Sequence, residues 1–141
     1  MKPISCSLIA GAALAGLVTC ASAQPVHVPP AGPPTICNPG ICRIAVTVND
    51  CGASGGIIVD PPYVAMPGTS GPAVIHWKIV TPGFVFAAGG IRFDPAQSQF
   101  HQLPAGPADE IRMRNDRTSR GDFYYFVEVR DCIPVDPWIR N

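Results

Sequence analysis

The 141-residue chain has zero formal net charge, with 14% of its residues charged and 47% hydrophobic. That length allows one domain, and the balance excludes a polybasic nucleic-acid binder, an acidic solvating tail and a wholly disordered chain. Its 17 Pro and 14 Gly forbid long helices and favour short strands joined by turns.

Residues Met1 to Ala23 read as a secretory signal peptide. Lys2 supplies the positive start, Leu8 to Val18 an apolar stretch, and Ala21-Ser22-Ala23 the small-x-small cleavage pattern. The apolar run is too short for a bilayer span, which takes about 20 residues. Cys20, after Leu17-Val18-Thr19, offers a lipoprotein alternative, although Thr is a poor residue before a lipidated Cys. Cleavage after Ala23 predicts a periplasmic or secreted chain from Gln24 to Asn141 that keeps Cys37, Cys42, Cys51 and Cys132.

Residues 24–40 form a Pro-rich, extended lead-in carrying Pro25, Pro29, Pro30, Pro33, Pro34 and Pro39. From Ile41 the apolar period becomes two, opening a single domain over 41–141. Ile44, Val46 and Val48 alternate with Arg43, Ala45 and Thr47 as a half-buried strand, closed by Asn49-Asp50-Cys51-Gly52. Ile57-Ile58-Val59 is a short strand stopped by Asp60-Pro61-Pro62. In Ala73 to Val80, Ile75, Trp77 and Ile79 share one face and Val74, His76 and Lys78 the other, with Trp77 as core anchor and His76 exposed.

Phe84-Val85-Phe86 and Ile91-Arg92-Phe93 flank Ala87-Ala88-Gly89-Gly90 and read as a strand pair. Ile111 and Met113 alternate with Arg112 and Arg114. Phe123, Tyr125, Val127 and Val129 alternate with Tyr124, Phe126, Glu128 and Arg130 in the longest strand. No 3.6-residue period is sustained. About seven strands at this spacing predict an all-β, disulfide-stapled Greek-key sandwich, immunoglobulin-like or cupredoxin-like.

An even set of Cys in an exported chain points to disulfides. Cys51 and Cys132 each follow the end of a strand by three residues. If the first and last strands lie side by side and parallel, both sulfurs emerge at one end, which favours Cys51–Cys132 and leaves Cys37–Cys42 across a turn. The rival pairing is Cys42–Cys51 with Cys37–Cys132. Structural zinc needs two closely spaced Cys pairs, and Cys37/Cys42 alone has such spacing.

A blue-copper site needs Cys, His and often Met close together near the last strand, and Cys132 is followed by neither. Gly68-Thr69-Ser70-Gly71 lacks the spacing of a nucleophile elbow. Asp109 and Glu110 are adjacent, so on a strand they point to opposite faces. The most distinctive polar feature is Arg112, Arg114, Arg117 and Arg120, whose guanidiniums suit carboxylates or phosphates, around a predicted hairpin loop over Asn115 to Gly121. Tyr124 and Phe126 form an outer aromatic stripe, either exposed for binding or covered by a loop.

Phe123-Tyr124-Tyr125-Phe126-Val127-Glu128-Val129, followed by Asp136-Pro137-Trp138-Ile139-Arg140-Asn141, resembles the close of small uncharacterised exported bacterial β-sandwich proteins. These end in an aromatic-rich strand and an Asp-Pro-x-Ile-x-Asn tail. The resemblance extends to the Trp77 strand and Phe84-Val85-Phe86. It implies a small β-sandwich and brings no activity with it. Trp138 and Ile139 are expected to dock on the core while Asp136 fixes the turn.

The expectation is an exported, non-enzymatic binding or structural domain that meets a protein or envelope component by an edge strand or the Arg-rich segment. It includes no cofactor and no metal. Two alternatives come from other classes: a periplasmic copper-type metal-handling protein using His76, His101 and Met113, and a small enzyme inhibitor inserting the Arg-rich loop.

Overall fold

A computed structural model describes residues 27–37, 40–66 and 71–141. The expected signal peptide with Cys20, the Asn38-Pro39 turn and most of Gly68-Thr69-Ser70-Gly71 lie outside the described residues. The described chain is all-β, with two five-stranded sheets packed face to face and no helix.

One sheet has the order β3-β2-β5-β8-β7, built from β2 (Ile41–Val48), β3 (Ile57–Asp60), β5 (Ala73–Ile79), β7 (Phe100–Gln102) and β8 (Glu110–Asn115). The other, β1-β4-β10-β9-β6, is built from β1 (Thr35–Ile36), β4 (Tyr63–Ala65), β6 (Phe86–Phe93), β9 (Asp122–Val129) and β10 (Trp138–Arg140). β2 and β5 are parallel, as are β1, β4 and β10, while the remaining neighbours are antiparallel. Among the described residues ten strands stand where the period-two pattern predicts about seven. β1, β4, β7 and β10 are two or three residues long, too short to display an alternation.

Alternation fills the interior. Cys42, Ile44, Val46 and Val48 of β2 and Ile75, Trp77 and Ile79 of β5 point inward, meeting Tyr125, Val127 and Val129 of β9 and Ile139 of β10. Trp77 is fully buried, and its indole Nε1–H donates to the Tyr125 hydroxyl at 3.0 Å across the gap between sheets. The rings meet edge to face at 5.4 Å. Burial pushes the Tyr125 hydroxyl far above its ordinary pKa, with the Trp77 hydrogen bond pulling the other way. Trp138 and Ile139 dock on the fold as expected, Ile139 in the core.

Among the described residues the disulfides are Cys37–Cys42 and Cys51–Cys132. The second joins strands that the sequence placed side by side. β2 and β9 instead belong to opposite sheets, so the bridge ties the two layers together at one end. The Ile133 N–H donates to the Cys51 carbonyl at 3.0 Å, holding the same junction through the main chain.

Two predicted connections are corrected. The segment expected to be a strand pair is one strand, β6, interrupted by a bulge: Phe86 pairs with Val129 and Ile91 with Val127, leaving Ala87 to Gly90 without partners on β9. A side chain at Gly90 would put its Cβ 2.7 Å from the Glu128 carbonyl oxygen, so the bulge needs glycine there. The predicted hairpin over Asn115 to Gly121 is a crossover, because β8 and β9 lie in different sheets. An amide network anchors it. Buried Asn115 donates to Asn141 Oδ1 at 2.8 Å and accepts from the Arg117 N–H at 2.9 Å, and Gln99 Oε1 accepts from Ser119 N–H and Asn141 Nδ2, each at 3.1 Å.

Candidate functional site

Period two also decides what the β3-β2-β5-β8-β7 sheet shows outward. Strand alternation turns Arg43 (β2), His76 and Lys78 (β5), Glu110, Arg112 and Arg114 (β8) and His101 (β7) away from the core. Register lines them up in rows: Arg43–His76–Arg112 across β2, β5 and β8, Lys78–Glu110 on one side, and Arg114–His101 on the other. At the usual strand spacing, the Arg43 and Arg112 backbones stand about 10 Å apart.

The outer rows neutralise themselves. Lys78 Nζ lies 2.5 Å from Glu110 Oε1 and 3.8 Å from Asp109 Oδ2, so both acids serve one ammonium. Asp109 precedes β8, which is why the opposite-faces rule does not separate it from Glu110. The Lys78 hydrogen bond holds the Glu110 carboxyl below its ordinary value against the opposing pull of burial, and Glu110 raises Lys78. In the other row Asp116 accepts from Arg114 Nη2 at 3.4 Å, with Arg114 Nε 2.8 Å from its Oδ1 and His101 Nε2 2.8 Å from its Oδ2. Burial pulls the Asp116 carboxyl up, but Arg114 and His101 leave it net low.

The middle row is uncompensated. Among the described residues, Arg43 and Arg112 have no carboxylate within 4.0 Å. His76 between them, predicted exposed, is half-buried at 15% side-chain exposure, with Nε2 3.3 Å from Glu110 Oε2 but outside hydrogen-bonding geometry. Together they make a row of two planar forks flanking an imidazole on hydrogen-bonded strands, an arrangement whose chemistry suits carboxylates or phosphates.

Of the arginines that the sequence grouped, Arg112 and Arg114 share this face, while Arg117 and Arg120 lie in the crossover. Arg117 is structural: Nε and Nη2 donate to the Gly71 carbonyl, and its main chain is left-handed at φ 53°. Arg120 is exposed. Arg43 escaped the grouping because it is far away in sequence. Its outward position was legible, but its parallel register with His76 was not.

The metal-ligand set His76, His101 and Met113 is not brought together. Met113 is buried on the inward face, and each His lies against a carboxylate of its own. No three His, Cys, Asp or Glu side chains cluster to hold a metal among the described residues.

The outward face of the other sheet is filled differently. Tyr124 and Phe126 are half-buried, with the His27 ring of the lead-in stacked on Tyr124 at 4.2 Å and edge-on to Phe126 at 6.3 Å. His27 Nδ1 also lies 2.8 Å from Asp136 Oδ2, so Asp136 anchors the lead-in, a role different from the turn expected of it. On the same face Arg140 donates to both oxygens of Asp122 at 2.7 and 2.9 Å, and the Tyr63 hydroxyl donates to Asp122 Oδ1 at 2.8 Å.

The Arg140 bond, opposed by burial and helped by Tyr63, holds the Asp122 carboxyl below its ordinary 3.8. A carboxylate lowered by folding gives its full stabilisation above the ordinary value and loses it as pH falls through the lower one. Asp122→Asn therefore destabilises the protein at neutral pH. The gap from the unsubstituted protein closes as pH falls below the ordinary 3.8 and through the lowered value. Urea midpoints at stepped pH check this, and a constant gap would contradict it.

By fold and site the chain is a small disulfide-bridged β-sandwich with a cationic row on one sheet face. The sequence matches no protein-family model and no curated protein.

Proposed function

We propose that this is an exported, non-enzymatic binding domain that docks an anionic partner on the outward face of the β3-β2-β5-β8-β7 sheet, through Arg43, His76 and Arg112. The observation that carries it is the pair of guanidiniums, in register on either side of His76, with no carboxylate of the described residues to neutralise them. Paired Cys and a signal-like leader favour an oxidising compartment, and the resemblance to small exported bacterial proteins agrees with that setting. Bridging also removes the thiols of Cys37, Cys42, Cys51 and Cys132 as nucleophiles. The separation of His76, His101 and Met113 weighs against metal handling, and the engaged Arg117 weighs against a freely inserting inhibitor loop.

The test is saturation binding of the secreted protein to purified envelope fractions. Arg43→Gln/Arg112→Gln is expected to weaken binding about tenfold or more, since each charge-assisted bond contributes about 1.5–3 kcal/mol. Arg92→Gln, on the opposite sheet and paired with Glu128, leaves binding unchanged. Equal binding by the double variant, or no saturable binding to any fraction, would refute the reading.

A further inference from the structure

Beside the cationic face runs a groove of about 280 Å³, walled by residues 86–89 of β6 on one side and the 102–108 turn before β8 on the other. Buried Phe86 and Ile111, with half-buried Ala87 and Leu103, give it an apolar floor. One end is closed where the Phe86 N–H donates to the Ala108 carbonyl at 3.0 Å. Arg130 stands near that end, its N–H bonded to the Val85 carbonyl at 3.0 Å. Arg112 stands farther out, where its carbonyl accepts from the Leu103 N–H at 2.9 Å. Neither guanidinium has a carboxylate within 4.0 Å among the described residues, and Glu110, which also lines the groove, is occupied by Lys78.

The 86–89 wall differs from the rest of β6. Its bulge, Ala87-Ala88-Gly89-Gly90, has no register partner on β9, and its side chains are no larger than a methyl, with Ala88 and Gly89 exposed. β6 is also the last strand of its sheet. An edge strand beside an apolar floor is what an extended peptide adds to as a further strand, and basic groups along the way select acidic side chains.

We propose that this groove binds an extended acidic peptide segment of a partner protein, its main chain pairing with the β6 bulge and its carboxylates meeting Arg112 and Arg130. This deepens, and rests on, the reading of the chain as a domain that docks an anionic partner.

The probe is a fluorescein-labelled synthetic peptide of alternating Val and Glu, titrated by anisotropy against the full secreted chain with its bridges intact. Saturable binding is expected, weakened about tenfold or more by Arg112→Gln or Arg130→Gln. The same peptide N-methylated along one edge keeps its charge but cannot pair as a strand, and it is expected to lose binding. An alternating Val/Lys peptide is expected not to bind. No saturable binding of the Val/Glu peptide, or equal binding of its N-methylated form, would overturn the proposal. So would Arg112- and Arg130-dependent binding of phosphatidylglycerol vesicles in the peptide's place. If envelope binding persists while the peptide fails, the groove is refuted and the docking face stands. If the peptide binds while envelope binding ignores Arg43→Gln/Arg112→Gln, the face is refuted and the groove stands.

Discussion

Replacing Cys51 and Cys132 with Ser is expected to lower the unfolding free energy by about 4–5 kcal/mol, against about 2 kcal/mol for the Cys37/Cys42 pair. The difference is a matter of loop length. The first bridge closes a sequence separation of 81 and the second one of 5, and the entropy removed from the unfolded chain grows with the logarithm of that length. In the folded state the double Ser variant of the long bridge keeps the Ile133 to Cys51 main-chain bond, so its loss falls mainly on the unfolded ensemble. Urea midpoints of the two double variants decide it. Equal losses would mean that folded-state strain cancels the extra restraint of the longer loop.

The second large effect sits at the centre of the core. Trp77→Ala is expected to cost about 3–5 kcal/mol, because it opens a cavity between sheets that the surrounding strands cannot close. Tyr125→Phe removes one oxygen, yet it strands the buried Trp77 Nε1–H and is expected to cost about 1–3 kcal/mol. Trp77→Phe/Tyr125→Phe removes both partners at once, so its cost should be smaller than the sum of the single changes by about 1 kcal/mol. A double-mutant cycle in urea reads this coupling directly. Strict additivity would mean that the bond across the layers adds nothing beyond packing.

These residues also mark how far the sequence could be read. Trp77 was legible as core because Ile75 and Ile79 flank it at period two and turn residues bound its strand. β4 was not, since Tyr63, Val64 and Ala65 are all buried and a strand covered on both faces has no alternation to detect. The β6 bulge looked like two strands because Ala-Ala-Gly-Gly reads as a turn, whereas local sequence says nothing about which neighbour resumes the ladder. For the candidate site, the outward direction of Arg43, Arg112 and Arg114 followed from alternation alone. Their neighbours did not. The parallel alignment of β2 with β5 and the crossing from β8 to β9 are set by packing between distant segments, and those decisions put Arg43 beside His76 and Arg117 against Gly71.

Most successive strands change layer: the chain crosses between sheets from β1 to β2, β3 to β4, β4 to β5, β5 to β6, β6 to β7 and β8 to β9. Neither layer is therefore a continuous stretch of polypeptide, and a fragment that ends in the crossover after β8 holds every strand of one layer but lacks β9 and β10, the strands that cover its inner face. Folding must bring far-apart pieces together before any of them gains a stable surface, which makes it slow and all-or-none. A protease that nicks one exposed connection should meet either the whole assembly or an open chain, never an intact half.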